Sequence, residues 1–156
     1  MTVTVRWVVA LFKHIVLATD LTPASERAHE IAATLASVCG AHLTAVHVCA
    51  TSAYAAAGST LAGADLTGPC EAGAKEELGR LVWRLRAKGV RAEAVLRSGV
   101  PWENIVNVVR EIGADLVVTG THGRHGIAHL YYGSVAEKVV QESPVPVLAV
   151  PTSRSH

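Results

Sequence analysis

The sequence predicts an α/β protein, an open, mainly parallel sheet of five strands covered by helices on both faces. Three observations carry this reading. Short apolar runs of strand length alternate along the chain with longer stretches whose apolar residues recur at helical spacing. The runs are apolar throughout rather than alternately polar, as in strands buried on both faces of a parallel sheet. The helical stretches open and close on Thr, Pro, Ser and Gly at positions that helix ends favour.

The first run is HIVLAT, residues 14–19, which ends at Asp20. LTPASERAHEIAATLASVCG follows as a helix, with Thr22 as N-cap, Pro23 in its first position, Ala28, Ile31, Ala32 and Leu35 on one face, and Gly40 as its stop. HLTAVHV, residues 42–48, is the second strand, and the Ala-, Gly-, Ser- and Thr-rich stretch over 50–70 offers little to pack and reads as a mobile loop. From 71 to 88, Leu78, Leu81, Val82 and Leu85 recur at helical spacing, Gly89 stops that helix, and RAEAVL is the third strand. Pro101 opens a helix with Ile105, Val108, Val109 and Ile112 on its apolar face, and Gly113 closes it. DLVVTG is the fourth strand, residues 134–142 the last helix, and PVLAVP the fifth strand.

A chain of 156 residues can bury a substantial core without disulfides or metals, so one domain over 1–156 is expected, with its core at about 12–151. Half the residues are hydrophobic, 17% are charged and the net charge is +1, which argues against disorder and against a strongly basic nucleic-acid surface. Cys39, Cys49 and Cys70 lie too far apart for a C-x-x-C pair and are odd in number, which points to a reducing cytoplasm. The N-terminal extension, 1–11, is too short in its apolar part for a signal or a membrane span; Val3, Val5, Trp7, Val9 and Leu11 alternate as an added edge strand or a strip under a partner chain would. No membrane partner is expected.

The segment VTGTHGRHGIAHLYYGS, residues 118–134, carries the chemistry. In open α/β sheets ligands bind beyond the carboxyl ends of the strands, where strand order reverses. Gly120 and Asp20 stand at two such ends. The order G120-T-H-G123, nine residues, then G133-S134 brings glycines where backbone must turn sharply or let a ligand approach, so that several amide N–H groups aim at one anion. S134-V-A-E137 is a capping box, so a helix N-terminus meets the anion, and between Asp115 and Glu137 no carboxylate repels it. The pattern favours phosphate.

On these residues the chain resembles the universal stress protein family, in its ATP-binding branch, whose hallmark G-x2-G-x9-G-[ST] stands here as Gly120, Gly123, Gly133 and Ser134. HIVLATDLTPASERA, VHV, GVPWENIV, ADLVVTGTHG and PVPVLAV match the family as well, and the resemblance spans about residues 12–151. It implies a Rossmann-like sheet of the adenine nucleotide alpha hydrolase type with strand order 3-2-1-4-5. It also implies ATP or another adenine nucleotide as ligand, with Mg²⁺ or Mn²⁺ accompanying the phosphates. Asp20 would face the adenosine, Val48 would meet adenine through its backbone, and Gly120, Thr121, His122, Gly123, Gly133, Ser134 and Val135 would hold ribose and phosphates. The family forms dimers through the last strand, here 147–150.

Other readings stand beside these. Asp20 also suits a turn cap, and Ser134 an N-cap whose hydroxyl bonds backbone while neighbouring N–H groups bind phosphate. Arg124 reaches the terminal phosphate or points to solvent. His122, His125 and His129 span a glycine loop and lack a fourth well-placed ligand, so no metal role is expected for them. Trp83 and Trp102 read as packing residues, Cys39 and Cys49 as buried small hydrophobes. The lysine of a P-loop is missing and no catalytic set lies in the motif, so a binding module is expected ahead of a slow ATPase or phosphotransferase, or of an interaction protein that binds no nucleotide.

Overall fold

The structure, a computed structural model, describes residues 11–51, 67–121 and 134–151, excluding the side chains of 67–69 and 134. Its elements are β1 (His14–Ala18), a 3-10 turn (Pro23–Ser25), α1 (Glu26–Cys39), β2 (His42–Ala50), α2 (Thr67–Ala87), β3 (Arg91–Gly99), α3 (Pro101–Ile112), β4 (Leu116–Gly120), α4 (Ser134–Glu142) and β5 (Val147–Val150). The five strands form one sheet in the order β3-β2-β1-β4-β5, every pair parallel. That is the order expected.

Strand periodicity divides the core in two. Ile15, Leu17, Leu43, Ala45, Leu116 and Val118 face α1 and α2, where they meet Ala28, Ala32, Ala36, Leu78, Leu81 and Leu85. Their neighbours Val16, Ala18, Val46 and Val117 face the other way, onto Ile105, Val108 and Val109 of α3 and Val139 of α4. Successive side chains point to opposite faces, so a strand covered on both sides must be apolar at every position. The uninterrupted runs of β1 and β4 are the result.

The ends of several elements differ from expectation. α2 begins at Thr67, inside the stretch expected to be a loop, because Pro69 is tolerated in a first turn whose N–H groups lack helical partners anyway. β2 and β3 run on to Ala50 and Gly99, paired residue for residue. Thr22 does not cap with its side chain: a 3-10 turn intervenes before α1, and the Thr22 hydroxyl is engaged by Asp20. Trp83 is 72% exposed, contrary to a packing role, because the buried stripe of α2 runs through Leu78, Leu81, Val82 and Leu85 and leaves residue 83 off it. Trp102 does pack against the second core, and Cys39 and Cys49 are buried as expected. The alternating N-terminal segment lies outside the described residues apart from Leu11, which is exposed.

Candidate functional site

β1 and β4 lie side by side and their successors leave in opposite directions, β2 to one side and β5 to the other. The crevice beyond their carboxyl ends is therefore the switch point of the sheet. The chain leaves β1 through Thr19, Asp20 and Leu21. Leu21 adopts φ 61°, a left-handed conformation that a leucine occupies only when its surroundings enforce it. Three bonds to one carboxylate oxygen supply that enforcement. The Thr22 N–H (2.9 Å), the Thr22 hydroxyl (2.7 Å) and the Ser25 hydroxyl (2.5 Å) all donate to Asp20 Oδ1. Asp20 is thus a turn cap, and it is so at the mouth of the crevice.

Thr19 ties this turn to its surroundings. Its hydroxyl accepts from the Leu21 N–H at 3.0 Å and meets His29 Nε2 at 2.7 Å. His29 Nδ1 lies 3.3 Å from Glu26 Oε2. Burial, only partly offset by Glu26, lowers the pKa of His29 from 6.5. The Thr19 N–H donates to the Val46 carbonyl at 3.0 Å, and the Thr19 carbonyl accepts from His47 Nδ1 at 2.8 Å.

On the β2 side, Val46 turns its carbonyl to β1, and two residues on, by strand periodicity, Val48 directs its backbone the same way, beyond the point where β1 has turned off. On the β4 side, Gly120 stands against the Asp20 turn. A Cβ at Gly120 would lie 3.9 Å from Ser25 Oγ, so the glycine leaves room beside the hydroxyl that holds Asp20. Thr121 is buried and its N–H donates to the Val150 carbonyl at 3.0 Å, carrying the β4–β5 ladder one residue past the strand.

Asp20, Val48 and Gly120 thus stand at or near the carboxyl ends of the neighbouring strands β1, β2 and β4, with Thr121 directly after β4. Val135, half-buried in the first turn of α4, packs on the second core, and α4 begins at Ser134 as the capping pattern predicts. His122, Gly123, Arg124, Gly133 and the side chain of Ser134 lie outside the described residues, as do His125 and His129. Ser25 and His47 are neighbours of the crevice that sequence reasoning passed over. Ser25 carries no local signal, because its role depends on a bond back across the turn. His47 looked like one more residue of an apolar strand.

The model of the universal stress protein family matches residues 11–151. Universal stress protein A homolog 1 of Coxiella burnetii is 33% identical over 141 residues, 89% of this chain and 96% of that one. Universal stress protein MJ0577 of Methanocaldococcus jannaschii is 30% identical over 82 residues, a match that spans 53% of this chain and 51% of that one. The solved structure of MJ0577 superposes with a TM-score of 0.79 at 24% identity, over 92% and 98% of the two chains, and bears on the fold. A universal stress protein in complex with cAMP gives a TM-score of 0.69 at 26% identity, over 91% and 98%. The Archaeoglobus fulgidus protein in complex with dAMP gives 0.66 at 26%, over 88% and 97%. With the sheet order, the switch-point crevice and a family match over nearly the whole length, this chain belongs to the universal stress protein family.

Proposed function

We propose that the chain is an adenine nucleotide-binding regulatory module of the family's ATP-binding branch, and that the crevice between β1 and β4 is its nucleotide site. One observation carries the reading: Gly120, the first glycine of the G-x2-G-x9-G-S run, stands beside the Ser25 hydroxyl that holds Asp20. A carboxylate that accepts hydrogen bonds and a glycine-led run ending on a helix N-terminus suit the two halves of a nucleotide, hydroxyl-bearing ribose and anionic phosphate. The backbone of Val48 suits the base edge. That relatives of the same fold are described in complex with cAMP and dAMP supports the adenine class. ATP, with Mg²⁺ or Mn²⁺ on its phosphates, is the ligand we assign, and Gly123, Gly133, Ser134 and Val135 with Thr121, His122 and Arg124 are the residues we assign to ribose and phosphates. We further propose a cytoplasmic homodimer paired through β5; among the described residues no helix is long and apolar enough to cross a membrane.

Calorimetric titration with ATP, AMP and cAMP, together with mass spectrometry of small molecules released from the purified protein by heat, tests the reading. Saturable binding of an adenine nucleotide is expected. Gly120→Val keeps a strand-compatible residue at the end of β4 but adds methyl groups towards Ser25, and it should weaken binding at least about 10-fold, roughly 1.4 kcal/mol. No adenine nucleotide in either assay, or unchanged affinity in a folded Gly120→Val protein, rejects the site.

A further inference from the structure

His47 and Cys49 are two residues apart on β2, so both point to the face of the sheet that α2 covers. Cys70, in the N-terminal part of α2, comes to the same spot. One donor atom from each of the three lies within 4.8 Å of the other two, and the Cys70 thiol donates to Cys49 Sγ across 2.7 Å. We propose that His47, Cys49 and Cys70 form a binding site for Zn²⁺, separate from the nucleotide's own ion and independent of the nucleotide reading.

Three features favour a metal. The donors are two sulfurs and an imidazole, the set that selects zinc over magnesium, manganese or calcium, which take oxygen donors. The imidazole is oriented from behind: His47 Nδ1 donates to the Thr19 carbonyl at 2.8 Å, which sets the tautomer with its lone pair on Nε2. A backbone acceptor on the non-ligating nitrogen is how zinc-bound histidines are ordinarily held. The burial of the donors is graded, with Cys49 only 1% exposed while Cys70 is open to solvent, so an ion can enter on the Cys70 side and be gripped on the other.

The alternative chemistry of two adjacent thiols is a disulfide. It needs an oxidant to take two electrons as the S–S bond forms, and it gives the imidazole nothing to do. Zinc instead takes the thiols as thiolates, releases their protons, and at about 2.3 Å from each sulfur draws them to roughly 3.8 Å apart. The exposed Cys70 side chain can make that adjustment. A tetrahedral ion on these three donors keeps one position for water or an outside ligand. It also ties the N-terminal part of α2 to the end of β2, across 21 residues of sequence.

Titration of the full-length, reduced, metal-free protein with Co²⁺, a spectroscopic substitute for Zn²⁺, tests the proposal. A thiolate-to-cobalt charge-transfer band saturating at one equivalent and bleached by Zn²⁺ is expected. Cys70→Ser, at an exposed position, and Cys49→Ala should each roughly halve that band. Each should also weaken Co²⁺ binding by at least the about 10-fold that loss of a mere supporting partner costs. His47→Gln should keep the band and weaken binding, and Cys39→Ala should titrate like the parent. Absence of the band with the thiols shown to be free overturns the proposal, as does a band that survives in the Cys49→Ala/Cys70→Ser double variant. A Cys49–Cys70 disulfide recovered by mass spectrometry, with no Co²⁺ uptake after its reduction, overturns it too.

Discussion

Asp20 caps a turn and is proposed to bind nucleotide, and a conservative change separates the two roles. Its Oδ1 accepts three bonds that hold Leu21 in a left-handed turn, and under the proposed function its carboxylate also serves the nucleotide. Asn keeps a carbonyl oxygen for the three donors and removes the charge. Asp20→Asn should therefore leave the denaturation midpoint nearly unchanged while weakening adenine nucleotide binding by about 10–100-fold, the worth of one charge-assisted hydrogen bond. Asp20→Ala should lose stability as well. Equal losses of stability in both variants would make the residue a turn cap and nothing more. His29 allows a second prediction at this scale. Its folded pKa lies below the unfolded 6.5, because burial disfavours the charged ring. The unfolded chain then binds more protons, so stability falls as pH drops through about 6.5 and the loss levels off below the folded pKa. His14, lowered in the same direction by burial and by His42, adds to the trend. Urea midpoints measured from about pH 7 to about pH 5 should fall, and less steeply in His29→Gln; an identical slope would show that His29 contributes nothing.

At the scale of the element, the joint between β3 and α3 shows how a local sequence forces a local shape. Gly99 ends β3 at φ 131°, a conformation closed to other residues, and Pro101 begins α3 two positions on. A Cβ on Gly99 would come within 2.9 Å of Asn104 Nδ2, and that amide is held by the Val100 carbonyl at 3.0 Å. Glycine is thus required twice, for its backbone and for the space. Gly99→Ala should cost about 1–3 kcal/mol, read as a lower urea midpoint, with nucleotide affinity retained because the β1–β4 crevice is on other elements. The extended β2–β3 pairing has a related lesson. Apolar character fades after Val48 and Leu96, so the sequence alone ends both strands early, yet parallel hydrogen bonding carries them to Ala50 and Gly99 regardless of side-chain type. α2 likewise starts well before Ala74, the first buried residue among those described, since a helix needs no apolar stripe in its opening turn.

For the whole molecule, the sheet ends in β3 on one side and β5 on the other. β5 is short, and it displays Leu148 at 38% exposure with Val140 of α4 half exposed nearby in sequence. If dimers pair through β5, as we propose, Leu148→Arg should weaken the dimer at least about 10-fold by setting a charge where an apolar contact is needed, while leaving each fold intact. Sedimentation velocity reads the outcome directly. A dimer of undiminished stability would move the interface elsewhere.

The sequence by itself determined the alternation of strand and helix, the two-sided burial of the sheet, the helix stops at Gly40 and Gly113 and the family, because each of these rests on local periodicity or on a motif contiguous in the chain. Tertiary structure alone decided the rest. That Ser25 reaches back to Asp20, that Gly120 stands against Ser25, and that Thr119, Gly120 and Thr121 line up with β5 depend on which strands become neighbours. The same is true of the cysteines. Cys49 and Cys70 looked unrelated at a separation of 21 residues, and Trp83 looked like core, until the packing of α2 on β2 brought the two sulfurs together and turned the indole outward. Periodicity says that a helix has an inner face; only packing against a particular strand says what that face meets.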